Sequence, residues 1–463
     1  MSEPVFAVVG HVNKGKSSIV SALAEDDSVA IAYEARTTTE SQPFALRVGD
    51  ETLLTLVDTP GFEQARHALA WMQARETSAV GRAEVVAAFV REHEQRGEFQ
   101  EECRLLRPIL DGAGILYVVD GSRPFSAEYE AEMEILRWTG QPRLAMINKI
   151  GERDYVAQWR AALDQYFNLV HEFDAHQADY ALRLQVLYAC RELRAEWRPA
   201  LDRAIELMQR EHARRLEESA RAIAAMLVDQ LSLRLDIRIA EEALLDPHKA
   251  QLQERYRHAL RDRERRCREQ IEDLYRHRRV RRQESELNPL TDDLFSEATW
   301  LRFGLTREQL ATTGAVGGAI VGGGIDAALA GHSFLLGTVI GGAIGGLTAW
   351  FSRETLATVK IKGLKLGGRL LQIGPMRNPQ FPWIVLDRAM LHHQLIRRRS
   401  HARRDELILD SKDRNGISTT LSLAQRKRFE SVFQRAIKAA DHEQKDAVGF
   451  DLAALIKELL KQA

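Results

Sequence analysis

Cysteine is scarce in this 463-residue chain: there are three, Cys103, Cys190 and Cys267, widely spaced. That excludes a disulfide scaffold and a cysteine-rich zinc site, and it predicts a reduced, cytoplasmic protein. An excess of one charge is also missing. Lys and Arg number 65 against 66 Asp and Glu, a net charge of −1, so the overall balance does not point to a general nucleic-acid binder, and such binding would have to come from local patches. The N-terminus, MSEPVFAVVGHVNKGKSS, lacks the long apolar stretch of a signal peptide. Hydrophobic residues at 45% and charged residues at 28% exclude wholesale disorder. The length predicts about two to four domains.

Composition divides the chain. Over 1–176, β-rich runs alternate with helical patterns, which predicts an α/β domain with a mostly parallel sheet and flanking helices. The expected strands are Val5–Val9, Leu53–Val57, Ile115–Val119, Leu144–Ile147 and Asn168–Phe173. Over 177–300 a long-helix domain is expected. Glycine and proline almost vanish between about 177 and 285, and Leu182, Val186, Leu187, Cys190 and Leu193 recur at helical spacing. Residues 311–351 are glycine-rich and hydrophobic. An α+β region follows over 352–463, with strand-like VKIKGLKLGGRLLQIGP and FPWIVLD and helical patterns near 384–397, 422–440 and 450–462.

The strongest motif is Gly10-His11-Val12-Asn13-Lys14-Gly15-Lys16-Ser17, directly after the apolar run VFAVV. It matches G-x-x-x-x-G-K-[ST] in a strand-to-helix context. Backbone N–H groups over Gly10, Asn13, Lys14 and Gly15 would face phosphates, and the following helix N-terminus adds a favourable dipole. Lys16 would neutralise β/γ-phosphate charge and Ser17 would ligate Mg²⁺. Asp58-Thr59-Pro60-Gly61 ends the run LLTLV, where Asp58 can hold Mg²⁺ and the Gly61 N–H can meet a γ-phosphate. Arg36-Thr37-Thr38-Thr39-Glu40 lies between the two as a polar loop that a γ-phosphate and its metal would order. Asn148-Lys149 ends the run LAMI, where an amide can read a base edge.

These motifs resemble small GTPases of the TrmE–Era type, and the layout resembles a bacterial family with an Era-like GTPase domain followed by a C-terminal domain of unknown function. The resemblance implies a P-loop GTPase fold over about residues 4–176, with GTP/GDP and Mg²⁺ as ligands. It implies phosphate and Mg²⁺ contacts from Lys16, Ser17 and Ser18. Thr39 takes the switch-one role by its distance to Asp58, with Thr38 in reserve. Ser17, Thr39 and Asp58 would then surround the metal, and Lys16, Thr39 and Gly61 the reacting phosphate. Asn13 occupies the position that in some relatives helps bind an activating potassium ion. Asp174-Ala175 stands where the usual Ser-Ala base-contact loop would be.

Two positions depart from the pattern. Gly151 replaces the Asp of N-K-x-D, whose carboxylate accepts from guanine N1 and N2, so ATP or a relaxed purine preference stays open beside GTP; Asp154 and Glu152 are near but at non-standard spacing. Phe62 stands where many G proteins place a Gln that orients water. An apolar residue is usual in the Era-like group and predicts slow hydrolysis that needs a cation, a dimer partner or a supplied Arg. The stretch 63–108 reads as a helical insertion in the switch-two region, either coupled to the nucleotide or inert. Trp71, Met72, Val80, Val85, Val86, Phe89 and Val90 are its candidate core.

Between Gly314 and Gly346 lie 12 of the 30 glycines. Gly314/Gly318/Gly322 and Gly337/Gly341/Gly345 put small residues on one helix face, as in helix contacts within lipid. Phe334–Phe351 is uncharged over 18 residues, about 27 Å as a helix against a bilayer core of about 30 Å. Basic residues flank both outer ends, as a hairpin entering from the cytoplasm requires. The competing reading is a water-soluble glycine-zipper hairpin.

Residues 255–282 hold 12 arginines. Upstream of Arg276 they alternate with acids and read as a solvated helix face; RHRRVRR and Arg397–Arg399 could meet anionic lipid or RNA. His392-His393 and Glu92-His93-Glu94 lack metal-ligand spacing and read as surface residues.

The functional expectation is a Mg²⁺-dependent GTPase, acting on an acid anhydride as a switch. It would bind guanine nucleotide and membrane lipid or a membrane protein, with a homodimer open, at the cytoplasmic face of the inner membrane. The rivals are a soluble Era-like RNA or ribosome-associated GTPase, disfavoured by the lack of an RNA-binding module, and a nucleotide-binding latch with little hydrolysis.

Overall fold

The structure, a computed structural model, describes residues 3–11, 15–25, 40–48, 51–76, 78–149, 151, 153–239, 245–277, 294–295, 299, 303–306, 309, 360–363, 369–402 and 416–462. The glycine-rich segment 311–351, Thr37–Thr39, Val12–Lys14, Glu152 and Arg278–Arg282 lie outside them. The chain forms two compact units. The first comprises Met1–Arg214, Arg276–Arg279 and Arg397–Asp405; the second comprises Arg215–Tyr275, Val280–Ile396 and Glu406–Ala463.

The first unit is built on a six-stranded sheet of β1 (Val5–Val9), β2 (Gln42–Val48), β3 (Glu51–Asp58), β4 (Gly114–Asp120), β5 (Arg143–Asn148) and β6 (Leu169–Glu172), in the order β2-β3-β1-β4-β5-β6. Pairing is parallel except for β2 on β3. The apolar runs of the central strands follow from burial on both faces. Phe6, Val8, Leu116, Val118, Leu144 and Met146 pack on one face with α1 (Lys16–Ala24), α7 (Tyr180–Leu193) and the start of α8 (Arg198–Leu231). Their alternates Ala7, Val9, Ile115, Tyr117, Ala145 and Ile147 pack on the other. There they meet α2 (Ala65–Gln73), α3 (Arg82–Arg96), α4 (Gln100–Leu110), α5 (Glu128–Trp138) and α6 (Val156–Leu163). Strand β2 was not among the expected strands: Pro43 interrupts QPFALRV, and an edge strand tolerates a proline and exposed positions.

In the region 63–108, Met72, Val86, Phe89 and Val90 are core, and Trp71 and Val85 pack against it. Val80 is not core; it is 94% exposed on a short 3₁₀ turn. His93 is not a surface residue either. It is buried among Trp71, Phe89 and Phe99, with Nδ1 3.1 Å from Glu98.

The second unit holds the end of α8, an antiparallel sheet of β7 (Leu235–Ile239), β9 (Arg369–Ile373) and β8 (Lys360–Gly363) in the order β7-β9-β8, and helices α9 (Leu245–Leu274), α10 (Phe381–Arg398), α11 (Leu423–Lys438) and α12 (His442–Gln462). The strand-like reading of VKIKGLKLGGRLLQIGP agrees with β8 and β9. FPWIVLD is instead the first part of α10. Its residues are all buried, and a helix enclosed on every side loses the polar positions that reveal a 3.6-residue period. His392 and His393 also face inward. Nε2 of His392 lies 3.0 Å from Glu272, and Nε2 of His393 lies 3.0 Å from the Tyr275 hydroxyl.

The mixed-charge part of α9 is solvated at Glu254, Arg261 and Arg265 but not throughout. Glu264 is buried and accepts from Arg388 Nε at 2.7 Å, with Arg268 at 2.8 Å. Burial opposes ionisation of Glu264, but the two guanidiniums hold its carboxyl below the usual range.

Candidate nucleotide site

Strand β1 runs into Gly10, whose φ of +146° is open to glycine. A Cβ there would lie 2.3 Å from the Val118 carbonyl oxygen, so the chain can leave the sheet this tightly only without a side chain. Gly15 takes a left-handed conformation, φ +85°, as the N-cap of α1. Its carbonyl accepts from the Ile19 N–H at 3.0 Å, within the first turn.

Lys16, the first residue of α1, is buried, and its Nζ donates to the carbonyls of Gly10 at 3.3 Å and His11 at 3.1 Å. Burial lowers its pKa; the nearby carboxylates of Asp58 and Glu132 work in the opposite direction. Ser17 Oγ donates to Asp58 Oδ2 at 2.7 Å. Asp58 closes β3, and Thr59 beside it donates to the Val8 carbonyl at 2.8 Å, which ties the D-T-P-G turn to β1. Ser18 and Gly61 are buried at the same end of the sheet. A hydroxyl, a carboxylate and a buried ammonium therefore meet at one helix N-terminus. Hard oxygen donors of this kind suit Mg²⁺ with several waters retained.

The residues expected to face the base lie at the ends of β5 and β6. Asn148 is buried, and its Oδ1 accepts from the Ala175 N–H at 3.1 Å. The structure thus brings together the two residues expected to face the base. Lys149 extends outward and pairs with Asp154 at 3.0 Å. Asp154 Oδ1 also accepts from the Val156 N–H at 3.1 Å, at the start of α6. Gly151 packs close to Ser122: a Cβ on it would lie 3.1 Å from Ser122 Cβ and Oγ. Asn13, Lys14 and Thr39 lie outside the described residues.

Two buried carboxylates extend the site beyond the sequence expectation. Glu132 on α5 accepts from the Tyr117 hydroxyl at 2.9 Å and lies 2.8 Å from His11 Nδ1. Burial raises its pKa; contacts with His11, Tyr117 and Lys16 offset this in part. Glu102 on α4 accepts from the N–H groups of Glu63 at 2.8 Å and Gln64 at 2.6 Å. It caps the start of α2, whose own N-cap residue, Gln64, supplies no side-chain bond. Both acids occupy apolar-stripe positions of their helices: Tyr129, Glu132, Met133 and Leu136 share one face, as do Glu102, Leu105, Leu106 and Ile109. An acid within an apolar stripe was the signal available in the sequence.

Strand order, P-loop, D-T-P-G turn and N-K strand end together define a P-loop GTPase domain of the Era-like type. Residues 5–149 match the family model described as 50S ribosome-binding GTPase, and residues 160–459 match the domain of unknown function DUF3482. The chain belongs to the DUF3482 family, with an Era-like GTPase domain at its N-terminal end. It is similar to the GTPase Era of Acidimicrobium ferrooxidans, 44% identical over 63 residues, which cover 14% of this chain and 22% of that protein. It thus spans about a fifth of that relative's length.

Two solved structures are also similar. Era in complex with MgGDPNP and nucleotides 1506–1542 of 16S ribosomal RNA is 18% identical, with 38% of this chain and 52% of that chain covered and a TM-score of 0.26. An Aquifex aeolicus Era variant bound to GDP and AlF4⁻ is 15% identical, with 59% and 90% covered and a TM-score of 0.29.

Proposed function

We propose that this protein binds guanine nucleotide with Mg²⁺ and hydrolyses GTP to GDP and phosphate, working as a switch. The observation that carries this reading is the 2.7 Å pairing of Ser17 with Asp58 beside buried Lys16 at the N-terminus of α1. Ser17 and Asp58 would hold Mg²⁺, joined by Thr39 in the triphosphate state. The ion, when bound, neutralises charge on the phosphates. Lys16 would exchange its two carbonyl acceptors for phosphate oxygens, and the Gly61 N–H would face the terminal phosphate. Phe62 is fully buried and offers nothing to orient a water. Hydrolysis should therefore be slow until potassium at Asn13, a second copy or an external arginine completes the site.

Guanine selection is the part that Gly151 weakens. Titrating the purified chain with GTP, ATP and XTP tests it: GTP is expected to bind most tightly, and equal ATP affinity would overturn the assignment. Gly151→Asp should raise the preference for GTP over ATP by about 5- to 150-fold, the equivalent of about 1–3 kcal/mol for one restored acceptor. Ser122 must shift by a few tenths of an ångström to admit it.

The proposed output is at a lipid surface on the cytoplasmic face of the inner membrane, peripheral or integral through 311–351. Among the described residues no helix is long and apolar enough to cross a membrane, so the sequence of that segment supports this part alone. On a density gradient with anionic liposomes the full chain should float with the vesicles. Recovery at the bottom of the gradient, with RNA stimulating phosphate release, would favour the ribosome-associated alternative.

A further inference from the structure

Part of the base side is built from residues near the end of the chain. Ser400, buried, donates its hydroxyl to the carbonyl of Ala175, and the same oxygen accepts from the Ala402 N–H at 3.2 Å. The His401 carbonyl accepts from Ser21 Oγ at 2.9 Å, one turn beyond Ser17 on α1. Ala402 is buried in the apolar cluster that includes Val8, Ile19 and Ala175, and the His401 ring stacks on His277 with centroids 4.2 Å apart. Together with the Ala175 N–H donating to Asn148, a line of hydrogen bonds runs from the N-K motif through the base loop and the 400–402 segment to the helix that starts at the P-loop. All of these residues belong to the first unit, whereas most of α10, which leads directly into Ser400, belongs to the second.

We propose that Ser400 is a positioning residue for the base-contact loop, and that the 400–402 strap makes nucleotide affinity depend on the C-terminal part of the chain. This rests on the guanine-nucleotide reading of Asn148 and Ala175. Ala175 sits in the loop between β6 and α7, where no ladder fixes its peptide. Asn148 holds the N–H side and Ser400 the C=O side. A loop fixed at both peptide groups loses little freedom when a base docks on it. Without the Ser400 hydroxyl, the Ala175 carbonyl is a buried acceptor without its donor, and the loop must shift to satisfy it. The phosphate side has its own anchors in Gly10, Lys16 and Asp58, so loss of the Ser400 hydroxyl acts on base recognition and not on phosphate recognition.

The test is calorimetry on the full chain with Mg²⁺-GDP and Mg²⁺-tripolyphosphate, for the unaltered protein, Ser400→Ala and Ser400→Thr. Ser400→Ala is expected to weaken GDP about five- to twentyfold, in line with one lost buried hydrogen bond, and to leave tripolyphosphate unchanged. Ser400→Thr, which keeps the hydroxyl, should restore GDP affinity. Unchanged GDP affinity in Ser400→Ala, or an equal loss for both ligands, overturns the proposal. If Ser400→Ala does not fold, amide exchange on the unaltered chain decides: GDP should slow exchange over 396–402 together with the P-loop. Protection at the P-loop with none at 396–402 overturns it. An unaltered chain that binds tripolyphosphate but no GDP marks failure of the guanine reading itself, and the strap proposal falls with it.

Discussion

Lys16→Ala should abolish nucleotide-dependent stabilisation while leaving the fold intact. The side chain is buried with two carbonyl acceptors, and burial lowers its pKa despite Asp58 and Glu132. In the ligand-free protein burial disfavours the charged form while Asp58 and Glu132 favour it, and two carbonyls take its hydrogen bonds; these effects oppose one another, so removing the side chain is expected to change the melting temperature little. On the proposed reading the triphosphate would lose its main cationic partner. A buried charge-assisted contact is worth about 3–5 kcal/mol when one partner is deleted, a loss of about two to four orders of magnitude in affinity. Thermal melts with and without Mg²⁺-GTP check both halves. If Mg²⁺-GTP still raises the melting temperature of the variant, the phosphate site is elsewhere.

The second large effect concerns stability and lies in the second unit. Asp387 on α10 is buried and accepts from the Gly304 N–H at 2.8 Å, the Ser418 N–H at 2.8 Å and the Ser418 hydroxyl at 2.6 Å. A Cβ on Gly416 would come within 2.0 Å of its Oδ2, so the loop closes on this carboxylate only as glycine. Asp387→Ala leaves three buried donors without their acceptor and should cost about 3 kcal/mol or more, some 6–12 °C in melting temperature for a unit of this size.

Burial raises the Asp387 pKa to about 6, even though the Ser418 and Gly304 donors favour the charged form. A folded-state value above the unfolded 3.8 means that this group's contribution is fully present below pH 4 and is lost as pH rises through 6. Relative to Asp387→Asn, the unaltered protein should therefore lose on the order of 3 kcal/mol between pH 4 and pH 7. A difference in melting temperature that stays flat over that range would show that the carboxylate is not held as described.

Legibility from sequence followed the range of the interactions. Strand β1 and the P-loop were readable because an unbroken apolar run and a glycine pattern are local facts. Strand β7 was hidden although Leu235, Ile237 and Ile239 alternate with Asp236 and Arg238, because five residues between two long helices are easily absorbed into the helical pattern. For α10, Pro382 in the first turn was the available cue. The site divides the same way. Lys16, Ser17 and Asp58 announce themselves by motif; Glu132 and Glu102 do so faintly, as acids in apolar stripes. Ser400 has no local signature, because the backbone it serves is 225 residues away.

The discontinuity of the first unit has a consequence for how the protein is made. Its sheet is complete by residue 172, yet its core also takes in Ala402. A ribosome adding about 5–20 residues per second delivers that last piece some tens of seconds after the sheet has emerged. During that interval the nascent domain carries an unfilled seam beside α1, and a nucleotide that binds then meets a half-built receptor. The finished molecule differs from any N-terminal fragment in the same respect, so a chain released early would lack the part that closes the seam.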